Sequence, residues 1–229
     1  MLALGSFSTP EQATFIRQVY GWMCAGLVVS AIVAGWVAAT PAVATLVLGD
    51  RLVFYALLLV ELVAVIFLSR MVHQISSTLS SIVFLLYASL NGLTLSVIFF
   101  VFTIGSIGEV FLLTAGMFGA MSLYGFVTKR DLTTVGHLAG MALLGLVVAM
   151  LINLFFMNDT AGLVLACVGV VVFVALTAYD TQKLKWLYEQ GRTEGSDGEK
   201  KEAINGALTL YLDFVNLFLD LLRIFGRRR

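Results

Sequence analysis

The sequence predicts an all-α fold, a polytopic membrane protein with seven transmembrane helices, and three observations predict it. The 229-residue chain is 60% hydrophobic and only 12% charged, where soluble domains are about 45–50% apolar and about a quarter charged. Its apolar residues gather into seven runs, each near the length of about 20 residues that a helix needs to cross the hydrocarbon. The polar residues between runs form short turns, apart from one charged stretch near the end. The expectation is a single integral membrane domain over residues 1–229, with the bilayer as its main solvent.

The first run covers residues 17–40 and stops at Thr40-Pro41, because proline ends a helix. The second, 52–70, is entered through LGDR (48–51) and left through RMVHQISS (70–77). The third, 80–104, is expected to turn tightly at IGSIG (104–108) into the fourth, 107–128. TKRDL (128–132) leads to the fifth, 136–157, and MNDTAG (157–162) to the sixth, 161–182. EQGRTEGSDGEKKEA (189–203), rich in charge, Gly and Ser, reads as a mobile loop before the seventh run, 205–225. Gly92, Gly116, Gly119, Gly140 and Gly145 inside the runs let helices approach closely. Cys24 and Cys167 fall in apolar runs and read as small packing residues, not as a disulfide or metal ligands. The first dozen residues lack a basic segment followed by a cleavage site, so the first helix is expected to be its own targeting signal.

Lys and Arg in short loops set orientation. With seven spans, the N-terminal side holds Arg17, Arg70, Lys129, Arg130, Lys183, Lys185, Arg192, Lys200 and Lys201. The other side holds Arg51, Arg227, Arg228 and Arg229. A cytoplasmic N-terminus follows. The final arginines argue the other way, and a re-entrant last segment would place them inside.

The last run, LYLDFVNLFLDLLRIFG (210–226), carries ionisable residues where water is scarce. At about 100° per residue, Thr209, Asp213, Asn216, Asp220 and Arg223 fall within about 80° of one another. They form one seam on an otherwise apolar helix, which therefore belongs among other helices with the seam facing a cavity or polar partners. Asp220 and Arg223, three residues apart, are placed to pair. Arg223 is also near enough to the end of the run to snorkel. Asp213 has no basic residue one turn away and needs a partner from another helix, or a proton. Burial of such groups is costly, which makes them functional candidates; the plainer alternative is a protonated interhelical hydrogen bond.

TAYDTQKLKW (177–186) suggests the partner. Trp186 and Tyr188 read as interface anchors. Asp180 then lies about 9 Å inside that boundary, and Asp213 about 12 Å inside an entry near Asn205, on the same side. Contact between Asp180 and Asp213 is feasible. Two carboxylates in a poorly hydrated place share a proton, and such a pair is a proton sensor. Deprotonated, it is a pair of hard oxygen ligands suited to Ca²⁺.

These residues carry a family resemblance. AYDTQKLK followed by LYLDFVNLFLDLLRIFG resembles the signature of the Bax inhibitor-1-like, or transmembrane Bax inhibitor motif, family. NGLTLSVIF (91–99) and TKRDLTTVGHLAGMALLGLVVAMLINLFF (128–156) are also similar to its third span and its fourth-to-fifth span region. The resemblance implies seven helices with the last at the centre, surrounded by the other six. It implies a bacterial-type, pH-sensitive calcium leak of the cytoplasmic (inner) membrane. Its aspartate-pair sensor falls on Asp180 and Asp213, and its basic latch, late in the second span, on Arg70. Asp220 lies where the motif varies.

The chain is accordingly expected not to be an enzyme and to carry no cofactor, with Ca²⁺ as a transported or bound ion. Its expected partners are lipid, Ca²⁺, protons and other membrane proteins, with no nucleic acid. A second reading is a non-conducting regulator of membrane proteases or death-pathway proteins. A minor one is an intramembrane aspartyl protease, but that class wants Gly-x-Gly-Asp where this chain has Leu-Tyr-Leu-Asp. It also wants a downstream Pro-Ala-Leu, and the prolines here are Pro10 and Pro41. No rhomboid Gly-x-Ser-Gly motif and no retinal-binding lysine in the last span is present. Glu61, mid-span in the second run, is a candidate for the ion or proton path together with Asn216, Asp220 and Arg223. Asn91 and Asn153 read as interhelical hydrogen-bonders, and His73 as a solvated loop histidine.

Overall fold

The computed structural model describes residues 10–71, 74–156, 158–189 and 195–229. Among these residues the fold is all-α, and the β pairing is one isolated bridge between Phe102 and Arg228. Helix α1 (Pro10–Ala39) stops at Thr40-Pro41 as expected. Pro41 then opens a short helix that the run pattern does not predict, α2 (Pro41–Leu48), because a proline at the first helical position loses no intrahelical bond. Helix α3 (Arg51–Met71) follows Asp50, whose Oδ1 accepts from the Leu52 N–H at 2.7 Å. Helix α4 (Ser77–Leu95) is capped by Ser76, whose hydroxyl accepts from the Leu79 N–H at 3.3 Å.

The expected third run divides into α4 and a single turn, α5 (Ile98–Val101). The tight turn is not at 104–108, which is the first turn of α6 (Ile104–Val127). It is at Phe102 and Thr103, whose extended backbone pairs with the end of the chain. The Thr103 N–H donates to Arg227 O at 3.0 Å, and the Arg229 N–H donates to Val101 O at 3.0 Å. The Arg227 N–H also reaches the Ser106 hydroxyl at 2.9 Å, and its guanidinium meets Glu109 at 2.6 Å. Helices α7 (Thr133–Phe156) and α8 (Asp159–Glu189) match the fifth and sixth runs, with α8 longer than expected. Asn158 Oδ1 caps α8 by accepting from the Ala161 N–H at 3.0 Å.

Residues 195–203 are helical and not a loop: α9 runs from Gly195 to Phe225. Its charges sit at helical spacing. Asp197 occupies the first turn, where the helix dipole favours an anion, and pairs with Lys201 four residues on at 3.1 Å. Residues 190–194, Met157 and His73 lie outside the described residues. At 31 residues α9 is one unbroken helix about 46 Å long, not a re-entrant pair. Among the described residues six helical segments are long and apolar enough to cross a membrane: Glu11–Ala39, Arg51–Met71, Ser77–Val101, Ile104–Val127, Thr133–Asn153 and Asp159–Glu189. The protein is an all-α polytopic membrane protein, and α9, with its polar seam, is the least apolar of the long helices.

The chain forms two compact units. The first comprises Met1–Ser96 and Lys183–Thr209, the second Val97–Gln182 and Leu210–Arg229. In the first, α1 lies along α4, and the Ser30 hydroxyl donates to Ala88 O at 2.7 Å. Phe15 stacks on Tyr188 with ring centroids 5.4 Å apart. In the second, Phe111 and Phe118 of α6 meet Phe214 of α9 edge-on, each at 5.4 Å. Gln182 fastens the α6–α7 turn to α8: its Oε1 accepts from the Leu132 N–H and its Nε2 donates to Arg130 O, both at 2.8 Å.

Candidate functional site

Between Ala203 and Leu222 of α9, every residue is buried except Asn205, Thr209, Leu212, Asn216 and Leu219. These recur every three or four residues, so they share one face. The polar seam is therefore the least buried face of the helix, and it divides by chemistry. The Thr209 hydroxyl donates to Asn205 O at 3.2 Å, and Asn216 Nδ2 donates to Leu212 O at 2.8 Å. Both turn back on their own helix. Asp213 and Asp220 sit at the buried edge, each 5% exposed.

Helix α8 presents a matching face. Gly162, Ala166, Gly169, Phe173, Leu176 and Asp180 recur at helical spacing and are all buried. At one end of this face Asp180, 8% exposed, lies beside the Asp213 carboxyl, close enough for the two side chains to interact. Two ionised carboxylates cannot hydrogen-bond to each other, because each only accepts. Asp213 Oδ2 has no further partner. Toward the other end, Asp220 Oδ2 rests in the space over Gly169, and the Arg223 guanidinium lies over Gly162. The two helices thus run antiparallel along the seam. The pairing of Asp220 with Arg223 is not made: among the described residues no ion pair joins them, and Asp220 Oδ2 has no hydrogen-bond partner. The room above Gly162 takes the guanidinium instead, and Arg223 is exposed.

Glu61 belongs to the first unit. It is 8% exposed and faces α4: Asn91 Nδ2 donates to its Oε2 at 3.3 Å, and Thr94 Oγ1, whose one hydrogen has both Glu61 Oε1 at 2.7 Å and Asn91 O at 2.9 Å as acceptors, lies against its Oε1. Asn91 is thus the interhelical bonder expected. Asn153 is not: its Oδ1 accepts from the Asn158 N–H at 3.2 Å, closing the turn after α7. Arg70 lies in the last turn of α3, exposed, in the unit that does not contain Asp180 and Asp213.

As a cation contact, the pair offers hard oxygens of the right kind, and Asp213 Oδ2 is unengaged. Ca²⁺ takes six to eight oxygens in a resident site. Among the described residues no cluster of three or more His, Cys, Asp and Glu could hold a metal. Sequence reasoning missed Thr94, Gly162, Gly169 and Gln182. Thr94 follows Asn91 by three residues, and Gly162 and Gly169 share a helical face with Asp180. Plotting α4 and α8 as α9 was plotted would have exposed both patterns.

The fold and this site define a class: a polytopic helical membrane protein with a buried carboxyl pair between its last two long helices. The chain belongs to the Bax1-I family, "Inhibitor of apoptosis-promoting Bax1", whose profile matches residues 12–229. It is 50% identical to inner membrane protein YbhL of Escherichia coli strain K12, over 94% of this chain and 92% of that protein. It is also 42% identical to an uncharacterized protein of Deinococcus radiodurans, over 99% of this chain and 96% of that one. A third relative, from Borreliella burgdorferi, is 38% identical over 94% of this chain and 92% of its own.

Proposed function

We propose that this protein is a pH-sensitive Ca²⁺ leak of a bacterial inner membrane, gated by the Asp180–Asp213 pair. The observation that carries this reading is the close approach of two buried carboxyls, Asp180 and Asp213, on different helices. With its proton the contact ties α8 to α9. Without it, two negative charges about 4 Å apart repel by about 4 kcal/mol at an effective dielectric near 20. That suffices to part the helices or to recruit a divalent cation. Arg70 is the proposed latch of the closed state, and Glu61, Asn216, Asp220 and Arg223 are proposed to border the path.

The N-terminus is proposed to be cytoplasmic, from the distribution of Lys and Arg. A cysteine at Ser196 is then labelled by impermeant reagents only after the membrane is opened; labelling on intact cells reverses the orientation. Function is tested by flux through purified protein in liposomes across pH, for Ca²⁺ against Mg²⁺, Na⁺ and K⁺. Asp180→Asn and Asp213→Asn each flatten the pH dependence, and the double variant adds little. Unaltered pH dependence in both folded single variants sinks the gate. Absent flux with peptide cleavage installs the protease reading, and absent flux without cleavage installs the regulator reading. Arg70→Ala raises basal flux if the latch is real; unchanged flux at every pH removes Arg70 from the mechanism.

A further inference from the structure

Asp220 is buried, 5% exposed, and its Oδ2 has no hydrogen-bond partner. That oxygen occupies the position a side chain at residue 169 would fill, and Gly169 leaves the seat open. An ionised carboxylate oxygen with no hydrogen bond, in a buried seat, has lost hydration that the charge of Arg223 offsets only in part. The nearest charge is Arg223, one turn on, whose guanidinium lies over Gly162 and makes no ion pair with Asp220. The other titratable groups of the packed helices are committed elsewhere. On α8, Asp180 engages Asp213, Asp159 stands at the helix start, Cys167 is exposed and the Tyr179 ring lies against Gly136. On α6, Glu109 is held by Arg227 and Tyr124 is exposed.

We propose that Asp220 is a second proton-binding site in the α8–α9 seam, seated by Gly169 and separate from the Asp180–Asp213 pair. Asp213 and Asp220 are two turns apart, about 10 Å along the axis. That is too far to share one proton, so each site titrates as its own step. Gly169 is the positioning residue: a methyl there displaces the carboxyl from its seat.

The test is infrared difference spectroscopy between acid and alkaline pH on the full chain in liposomes, following the C=O stretch of protonated carboxyls. It reads protonation and not flux, so it stands or falls independently of the leak. Asp220→Asn should abolish one pH-dependent component that Asp213→Asn retains. Gly169→Ala should shift the midpoint of that component, and it serves as the test if Asp220→Asn fails to fold. An Asp220→Asn spectrum identical to wild type, or folded Gly169→Ala with an unmoved component, overturns the proposal.

Discussion

Glu61 and the α9 aspartates are all acids buried in one membrane protein, and they are bonded in opposite ways. Each oxygen of Glu61 is in hydrogen-bonding contact with α4. Asp213 and Asp220 each keep a buried oxygen with no partner. Buried polar atoms are normally satisfied, and an exception calls for a use. A satisfied carboxyl ties two helices together and is stable as it stands. An unsatisfied one is poised, because a proton, a cation or a helix movement each improves its lot. The same residue chemistry therefore reads as a fastening in the first unit and as a responsive element in the second.

The largest expected effect tests that distinction directly. In liposome flux, Asp213→Asn removes the pH dependence, whereas Glu61→Gln retains it and lowers only the magnitude. Loss of pH dependence in Glu61→Gln would break the comparison.

Next come the glycines behind each site. A methyl at Gly125 runs into the backbone carbonyl of Ala178, two residues before Asp180, where no side chain can yield. A methyl at Gly92, beside Asn91, meets Ser30 O at 2.7 Å and Val33 Cβ at 2.9 Å. Overpacking costs about 1–3 kcal/mol, and Gly125→Ala should cost more than Gly92→Ala in thermal unfolding of the detergent-solubilised protein. The reverse order would mean that α6 and α8 have slack that α1 and α4 lack.

Smaller still is the worth of the Glu61 bonds. Polar contacts between membrane helices average about 0.6 kcal/mol and reach about 1.7, so Thr94→Val should destabilise within that range. A double-mutant cycle with Glu61→Leu should recover the same coupling; zero coupling would make Glu61 a responsive site after all.

The smallest effect lies outside the membrane. The Thr133 hydroxyl, together with its N–H at 2.8 Å, holds the Asp131 carboxyl below the ordinary value of 3.8. A depressed pKa stabilises the fold above the ordinary value, and that stability is lost as pH falls through the folded value. Asp131→Ala should therefore be slightly less stable than wild type at neutral pH, with the difference vanishing in strong acid. A difference that persists there is not electrostatic.

The sequence made the helices legible wherever periodicity and hydropathy agreed, as in α3, α6 and α7. It misled where composition outweighed spacing. Residues 195–203 look like a loop by their Gly, Ser and charge content, but the Asp197–Lys201 spacing belongs to a helix. The Asp180–Asp213 contact was legible because both residues are conspicuous in apolar runs and one connection fixes their relative depth. The Asp220–Arg223 pairing failed because its outcome depends on α8. Two glycines there, invisible from α9 alone, give each charged group a separate seat.

The backbone pairing of Phe102 with the end of the chain limits how α9 can move. Thr103 and Val101 hold Arg227 and Arg229 by main-chain bonds, and Ser106 and Glu109 add side-chain ones. Such a clasp resists a piston stroke of α9 along its own axis, because axial sliding breaks every one of those bonds together. Tilting or twisting about the clasped end leaves them in place. Any tilt about the clasped end would carry Asp213, further from it, through a longer arc than Asp220.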